Sequence, residues 1–180
     1  MSYTTYMPEL PEVETITKDL KNKITGSKIV GFWTNWPKYF STSGGADKCK
    51  KILVGKTISK IERRGKNILF YLSEDYVLAV HLKMTGHFLF TEPARKSFVH
   101  LVLDLKRSDL PGRSDLGKKK LYFSDVRKFG RILIGKNDWI LNRPEIKKLG
   151  PEPLAITAAG FLDLITRRRG RIKTVLLNQE

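Results

Sequence analysis

The sequence predicts an α+β fold: a two-sheet antiparallel β-sandwich with flanking helices, followed by a short C-terminal helical segment. The main observation is a series of eight short runs between residues 27 and 135, rich in Ile and Val, in which apolar and polar residues alternate. Gly residues or a Ser-Glu-Asp turn separate these runs. Short strands at this spacing are typical of antiparallel sandwiches and barrels. Apolar residues at helical spacing flank the strand-rich region on both sides.

The first helix is predicted from its end signals and its apolar face. Pro11 lies in the first turn, where a missing N–H is tolerated, and Gly26 ends the helix. The apolar positions between them have helical spacing: Val13, Ile16, Leu20 and Ile24. Residues 46–53 predict a short second helix. The predicted strands cover residues 28–33, 57–63, 67–72, 77–82, 87–91, 98–105, 120–124 and 131–134.

Two regions interrupt the strand pattern. Residues 106–120 predict a long basic hairpin loop, because they combine turn signals with six basic and two acidic residues. Near the C-terminus, Thr157 is predicted to cap a helix whose apolar side is made by Phe161, Leu162 and Ile165. The predicted domains are therefore an N-terminal β-sandwich domain over residues 1–136 and a linker with the start of a helical domain over residues 137–180.

The charge balance indicates a polyanionic partner. Lys and Arg number 34 against 18 acidic residues, which gives a net charge of +16. Such a surface attracts nucleic acid. An anionic membrane is the alternative, but the chain has no apolar run long enough to span one and no basic amphipathic helix at either end.

Cysteine usage and the N-terminus indicate the compartment. The single cysteine, Cys49, cannot form an internal disulfide, and no Cys/His cluster has zinc-site spacing. The N-terminal residues are neither a signal peptide nor a transit peptide. We therefore expect a cytoplasmic protein, with no metal site in these residues.

The most specific segment is residues 7–15, Met-Pro-Glu-Leu-Pro-Glu-Val-Glu-Thr. Three carboxylates beside two prolines also fit an ordinary helix start. Together with four later segments, however, it resembles the formamidopyrimidine-DNA glycosylase family (the Fpg/Nei superfamily) in the family's own order. The later segments resemble its catalytic-lysine segment, its intercalation loop, the loop of its Arg and Phe wedge residues and its interdomain link: residues 63–66, 81–86, 124–130 and 149–154. The resemblance extends from Met7 to the end of the chain.

The resemblance implies an amine-dependent mechanism. Pro8 is implied to attack the sugar C1′ through its secondary amine and to form a Schiff base, which displaces the damaged base and leads to strand cleavage by elimination. Glu9 is implied as the general acid/base at the deoxyribose, and Lys66 as a clamp on the lesion phosphate. Leu10 is typical of the formamidopyrimidine branch, since the endonuclease VIII branch carries Gly there. The implied activity is a bifunctional DNA glycosylase/abasic-site lyase for oxidised purines (8-oxoguanine and formamidopyrimidines), with no cofactor.

The resemblance also implies a set of DNA contacts. An extruded base leaves a gap in the stack, and Met84, Arg127 and Phe129 are implied to fill it. Met84 lies in a Thr-Gly turn, where a core role is a poor explanation because turns lie on the surface. Phe129 fits a core position beside a strand equally well. His100, Lys128 and the arginines at 167–169 are implied phosphate contacts or simply solvated charges. The implied partner is double-stranded DNA with oxidised or abasic lesions, bound by a monomer.

Two departures from the family pattern leave alternatives open. If translation starts at Met1, the nitrogen of Pro8 lies in an amide and cannot attack. Either Met7 is then the true start, or another amine (Ser2 or Lys66) acts, or the chain binds lesions without cutting. In the family, a helix-two-turn-helix and usually a zinc finger follow the equivalent of Gln179, so we expect no zinc and weaker lesion selectivity from these residues.

The rival functions follow from these departures. One is a catalytically silent DNA- or lesion-binding module. The other is a basic β-domain that binds RNA, which would require the five motifs to be a coincidence.

Overall fold

The computed structural model describes residues 8–107 and 118–178, and it confirms the predicted sandwich. Eight strands form two four-stranded antiparallel sheets, ordered β1-β6-β7-β5 and β2-β3-β4-β8. The strands are β1 Ser27–Trp33, β2 Ile58–Arg64, β3 Asn67–Leu72, β4 Tyr76–His81, β5 Gly86–Leu89, β6 Val99–Arg107, β7 Lys118–Asp125 and β8 Arg131–Lys136. Every predicted strand matches an observed one, with ends that differ by at most two residues.

The main core lies between the two sheets. Alternate residues of β3, β6 and β7 point inward, so that Phe70, Leu103 and Phe123 are almost completely buried. A 3-10 helix at Pro37–Ser43 adds Phe40, whose ring packs edge-on against Phe32 at 5.3 Å between centroids. This continuous apolar interior sets the register of both sheets, because a one-residue slip would expose it.

Helix α1, Leu10–Ile24, covers one side of the sandwich and packs against β2. Its first turn is closed by the Glu9 backbone N–H, which donates to Glu12 Oε2 at 3.0 Å. The buried face of the helix is formed by Val13, Thr17, Leu20 and Ile24. Three of the four predicted positions are buried, whereas the predicted Ile16 is only partly buried against the core. Helix α2, Ala46–Leu53, has the predicted bounds and buries Cys49 and Leu53.

Two short helices cover the outer face of the second sheet. Helix α3, Asn137–Leu141, and helix α4, Pro144–Lys147, bury Ile140 and Ile146 in a second apolar cluster with strand residues Leu69, Val77, Ala79 and Leu133. Both helices lie beyond the domain boundary predicted at residue 136. The packed unit of the sandwich therefore continues to Ile146.

The C-terminal segment is helical, as predicted, but less buried. Helix α5, Ala158–Thr166, begins at Thr157, whose Oγ1 accepts a hydrogen bond from Gly160 N at 3.1 Å. Helix α6 spans Ile172–Leu177. No residue of these two helices is buried by the rest of the described chain, and Phe161 and Leu162 of the predicted apolar side are exposed.

The predicted basic loop at 106–120 is only partly described. Strand β6 continues to Arg107 and β7 begins at Lys118, so the paired arms are longer than predicted. The rest of the predicted loop lies outside the described residues. In the part of the chain that the structure describes, no helix is long and apolar enough to cross a membrane.

The packing of α3 can be tested with a matched pair of Ile→Ala changes. Ile140 is fully buried, whereas Ile172 in α6 is 59% exposed. We expect Ile140→Ala to lower the free energy of unfolding by about 2–5 kcal/mol, because it leaves a cavity against the sheet. Ile172→Ala should change it by no more than about 0.5 kcal/mol. Urea unfolding measures both, and similar effects would show that α3 does not complete the core.

Candidate active site

Three of the sequence motifs meet at one edge of the second sheet. Asn67 pairs with His81, and His81 pairs in turn with Arg131, so the ends of β3, β4 and β8 are neighbours. Lys66 directly precedes Asn67 in the tight turn between β2 and β3. The loop with Met84 follows β4, and the loop with Arg127 precedes β8. Antiparallel pairing thus places segments that are far apart in sequence along one edge.

Glu9 and Lys66 form an ion pair at this edge. Lys66 Nζ contacts Glu9 Oε2, and about half of the Glu9 side chain is exposed. Glu9 precedes α1, and the capping contact with Glu12 fixes its backbone. Pro8 is its half-buried neighbour in the chain. The structure therefore brings together the three predicted catalytic residues, whereas Ser2 and Met7 lie outside the described residues.

His81 lies at the same sheet edge, between Asn67 and Arg131, and the sequence motifs predict no role for it. Its Nδ1 accepts a hydrogen bond from the Lys83 backbone N–H at 3.1 Å, so the neutral ring carries its proton on Nε2. No acceptor among the described residues takes this Nε2–H. Burial, followed by the charges of Lys83 and Arg131, lowers the pKa of His81 to about 4. Lys66 acts in the same direction. His81 is thus a neutral hydrogen-bond donor at pH 7.

Met84, Arg127 and Phe129 form an exposed group, here called the wedge cluster. Arg127 Nη1 lies 3.0 Å from Met84 Sδ, and its guanidinium lies 4.8 Å from the centre of the Phe129 ring. Met84 is 38% exposed and Phe129 is 55% exposed. Phe129 is therefore not a core residue, which resolves the alternative left open by its sequence position. The three side chains that resemble the family's wedge residues come from two loops and meet at one point.

A buried carboxylate holds these two loops together. Asp125 is fully buried, and its side chain accepts hydrogen bonds from Tyr39 Oη at 2.7 Å, Gly130 N at 2.7 Å and Arg127 N at 3.2 Å. The Thr85 hydroxyl, next to Met84, donates to Asp125 Oδ1, the oxygen that also accepts from Arg127 N. Thr85 also accepts from Arg127 N at 3.1 Å. The loop with Met84 and the loop with Arg127 are thus fixed to the same carboxylate.

The ionised state of Asp125 depends on these donors. Burial by itself raises the pKa of Asp125, but the hydrogen bonds from Thr85, Gly130 and Tyr39 have the opposite effect, and the pKa lies below its usual value. Gly130 is needed at its position because a Cβ would lie 2.9 Å from the Phe123 ring and 3.0 Å from Asp125 Oδ2. The Asp125 carboxylate therefore remains charged. Its hydrogen bond from Gly130 N requires the backbone to come so close that there is no room for a Cβ.

His100 lies below this network and not on the surface. It is 1% exposed, its Nδ1 lies 2.7 Å from Asn35 Oδ1, and its Nε2 lies 3.0 Å from the Asp125 carbonyl oxygen. A direct phosphate contact would require one of these hydrogen bonds to break. The structure therefore does not support the predicted phosphate contact at His100, because burial gives both ring nitrogens protein partners. His100 instead supports the Asp125 loop.

Lys128 lies in a shallow basic groove beside the wedge cluster. Its ammonium lies 3.8 Å from the centre of the Trp36 ring, a cation–π contact. The groove is lined by six cations and one carboxylate: Lys38, Lys83, Arg127, Lys128, Arg131, Arg143 and Glu145. Most of these cations were not predicted as site residues, because they come from five separate segments. The arginines at 167–169 are exposed and lie on the C-terminal segment.

The described residues contain no group of three or more His, Cys, Asp or Glu side chains that could hold a metal ion.

The sandwich matches a known family of protein domains. The family model described as the formamidopyrimidine-DNA glycosylase N-terminal domain matches residues 7–132. The chain is 38% identical to the formamidopyrimidine-DNA glycosylase of Pelotomaculum thermopropionicum and 36% identical to that of Moorella thermoacetica, over 96% of this chain and 60% and 61% of those proteins. The chain therefore belongs to the formamidopyrimidine-DNA glycosylase family, and it spans about three fifths of the length of these relatives.

Solved structures agree with this assignment. The Lactococcus lactis formamidopyrimidine-DNA glycosylase, non-covalently bound to DNA with an abasic site, superposes with a TM-score of 0.76 at 32% identity. That match covers 96% of this chain and 63% of the other. A structure of MutM in complex with DNA containing carbocyclic 8-oxo-G has a TM-score of 0.75 at 33% identity, over 96% and 62% of the two chains. The predicted family and fold class are confirmed.

The neutral state of His81 predicts how stability depends on pH. The pKa of His81 is about 4 in the folded chain and about 6.5 in the unfolded chain, so the unfolded state binds the proton first as the pH falls. The stability due to neutral His81 is complete above pH 6.5 and is lost progressively towards pH 4. We expect the free energy of unfolding to fall between pH 7 and pH 5. His81→Asn, whose side-chain oxygen can still accept from Lys83 N, should reduce that fall.

Chemical unfolding at pH 7, 6 and 5 measures this effect. The window lies above the range in which Asp125 and other carboxylates with a lowered pKa become protonated. His100, whose pKa burial also lowers, accounts for a remaining slope. Equal slopes for the parent chain and His81→Asn would show that His81 does not titrate as described.

Proposed function

We propose that this chain is the catalytic part of a bifunctional DNA glycosylase and abasic-site lyase that excises oxidised purines, 8-oxoguanine and formamidopyrimidines, from double-stranded DNA. The observation that carries the proposal is that the Glu9–Lys66 pair, next to Pro8, lies on the same sheet edge as the wedge cluster. Related proteins were crystallised with DNA that contains an abasic site, carbocyclic 8-oxo-G or FAPY-dG. One edge therefore combines a group for chemistry with a group for opening the stack.

The proposed chemistry begins at Pro8. Its secondary amine attacks the sugar C1′, the bond from C1′ to the damaged base breaks, and the base leaves with the bonding electrons and takes a proton from water. Opening of the sugar ring, with protonation of the ring oxygen, gives an iminium between Pro8 and C1′. Transfer of a C2′ proton to the Glu9 carboxylate then allows elimination of the 3′ phosphate, which cuts the strand. Water finally releases Pro8.

Glu9 and Lys66 act in these reaction steps from adjacent positions. The Glu9 carboxylate takes up the proton that the Pro8 nitrogen loses after its attack and passes it to the ring oxygen as the sugar opens, a role that requires hydrogen-bond reach. The Lys66 ammonium lies against Glu9 and offers positive charge to the phosphate beside the lesion. His81 lies on the neighbouring strand, opposite Asn67. Its Nε2–H is proposed to donate a hydrogen bond to the same DNA backbone.

The wedge cluster is proposed to hold the DNA open. Met84 and Phe129 offer apolar surface, and Arg127 offers a planar cation that stacks against Phe129. The basic groove beside the cluster, with Lys128 over Trp36, is proposed to follow the phosphate backbone. Since one chain carries both the catalytic pair and the wedge cluster, we propose that it acts as a monomer at the nucleoid.

A second candidate function is a DNA- or lesion-binding module without activity. The observation in its favour is chemical: with residues 1–7 attached, the nitrogen of Pro8 is an amide nitrogen and has no free electron pair for attack. The wedge cluster and the basic groove need no free amine, so binding would remain. The state of the Pro8 nitrogen therefore decides between the two functions.

The nucleophile can be tested by comparing the 180-residue chain with a variant that begins at Met7. Removal of Met7 by the cell's aminopeptidase should expose Pro8, which a mass measurement of the protein verifies. We expect the Pro8 form to cleave abasic-site DNA and to be trapped on it by borohydride, with the adduct on the Pro8 peptide. The form that retains residues 1–7 should give only background trapping.

Two results would contradict this expectation. Equal trapping by both forms, with the extension intact, would move the nucleophile to another amine such as Ser2 or Lys66. Lesion binding without trapping by either form would favour the binding module.

The wedge can be tested with Met84→Ala. The gap that Met84 fills exists only in a stacked duplex, so the change should weaken binding to a lesion-containing duplex by about 1–3 kcal/mol and leave single-stranded binding nearly unchanged. Val54→Ala is the matched control, because Val54 is equally exposed at 38% and lies between α2 and β2. Fluorescence anisotropy with both DNAs measures the difference, and an equal loss on both would make Met84 a structural residue.

A further inference from the structure

We propose that Glu152 is a positioning residue for the catalytic pair: it fixes the turn that carries Lys66 against helix α1. Glu152 lies in the segment that precedes α5, 86 residues after Lys66 in the chain. The chemical role of the pair rests on the proposed function above. The geometry that Glu152 imposes on the Glu9–Lys66 pair is independent of that proposed function.

The contacts of Glu152 converge on the turn. Its Oε1 accepts a hydrogen bond from the Gly65 backbone N–H at 2.8 Å, and its Oε2 lies 2.6 Å from Arg63 Nη1. Gly65 directly precedes Lys66 and has a left-handed backbone with φ of +57°. Glu152 thus holds the backbone one residue away from the Lys66 side chain.

Arg63 continues the connection to α1. Its side chain is only 6% exposed, and its Nε donates to Glu14 Oε2 at 2.7 Å. The hydrogen bond from Arg63 is the main cause that lowers the pKa of Glu14, so Glu14 remains ionised. Arg63 Nη1 also donates to Gly65 O at 3.0 Å. Since Glu9 directly precedes the helix that carries Glu14, this chain of charges joins the two sides of the Glu9–Lys66 pair.

The segment before Glu152 closes on the same turn. Arg64 donates to Gly150 O at 2.7 Å and also to Leu149 O. Leu149 covers Gly65 so closely that a Cβ there would lie 3.0 Å from Leu149 Cδ1. Residues 149–152 therefore contact the turn through backbone, side chain and charge.

Loss of the Glu152 carboxylate would disturb the turn before it disturbs the core. The Gly65 N–H would lose its acceptor, and the shielded guanidinium of Arg63 would keep only Glu14 as an acidic partner. Neither group belongs to the apolar interior between the sheets. The expected consequence is a displaced Lys66 in an otherwise folded domain.

The test measures the Glu9–Lys66 contact directly and needs no activity. A water-soluble carbodiimide joins a carboxylate to an amine only when the two are in contact, and peptide mass spectrometry gives the yield at each pair. The exposed Asp19–Lys23 pair, 2.8 Å apart on α1, is the internal standard. Glu62→Gln is the matched control, since Glu62 lies on β2 and pairs with Lys60 instead.

We expect the Glu9–Lys66 yield, relative to Asp19–Lys23, to fall at least severalfold in Glu152→Ala. Glu152→Gln can still accept from Gly65 N but has lost its charge, so its yield should be intermediate. Glu62→Gln should match the parent chain. If Glu152→Ala does not fold, Glu152→Gln carries the test. An unchanged relative yield overturns the proposal, and so does a parallel loss at both pairs, because that would indicate general unfolding.

A kinetic arm connects the geometry to the reaction. With the Pro8 form and abasic-site DNA under single-turnover conditions, the Glu152 variants should cleave about 10- to 100-fold more slowly at saturating DNA, with the DNA affinity within a factor of about two. A loss of affinity with an unchanged rate overturns the positioning role. If the parent Pro8 form does not cleave, the proposed function fails, and the cross-link yields still decide the role of Glu152.

Discussion

The wedge cluster depends on one buried negative charge, the carboxylate of Asp125. An unpaired carboxylate in this position would destabilise the fold by several kcal/mol. Here it is balanced by donors from three segments: the 3-10 helix with Tyr39, the Thr85 turn and the backbone at 127 and 130. Because each donor needs the others in place, the network specifies one loop arrangement. Side chains that are proposed to open a DNA stack need a backbone that resists displacement, and the hydrogen bonds to Asp125 fix that backbone.

The site is organised as two anchored groups on one sheet edge. Asp125 anchors the wedge cluster, whereas Arg63 and Glu152 anchor the turn with Lys66. In both groups the anchoring charges are largely shielded, and the residues proposed to touch DNA are partly exposed. This division is expected for a functional site, because reacting groups keep their geometry when a supporting layer fixes their backbone. The domain thus carries two separate polar networks, a buried one around Asp125 and a partly buried one around Arg63.

The local sequence pattern predicts most of the strands and helices but few of the tertiary contacts that fix the site residues. The strands follow from alternation, and the cap at Thr157 follows from residue type. The family motifs point to Glu9, Lys66 and the wedge cluster. His100 could not be placed from sequence, since it contacts Asn35, Trp36 and Tyr39, which lie far earlier in the chain. The partner of Asp125, Tyr39, lies 86 residues earlier in the chain. The neutral state of His81 arises first from burial, and then from cations that three different segments bring together. Such properties are tertiary, and no window of sequence contains them.

The uncharged ring of His81 has a consequence for how ionic strength acts on the protein. Lysine and arginine contacts gain much of their free energy from the release of counterions, and that gain shrinks as salt is added. A neutral Nε2–H that donates to a phosphate releases no counterion, so its contribution would remain nearly constant. The electrostatic attraction of DNA to the chain, whose net charge is +16, would then be sensitive to salt. The hydrogen bond from His81 to the DNA backbone would not be. Capture and retention of DNA would thus respond differently to the same change in the cell.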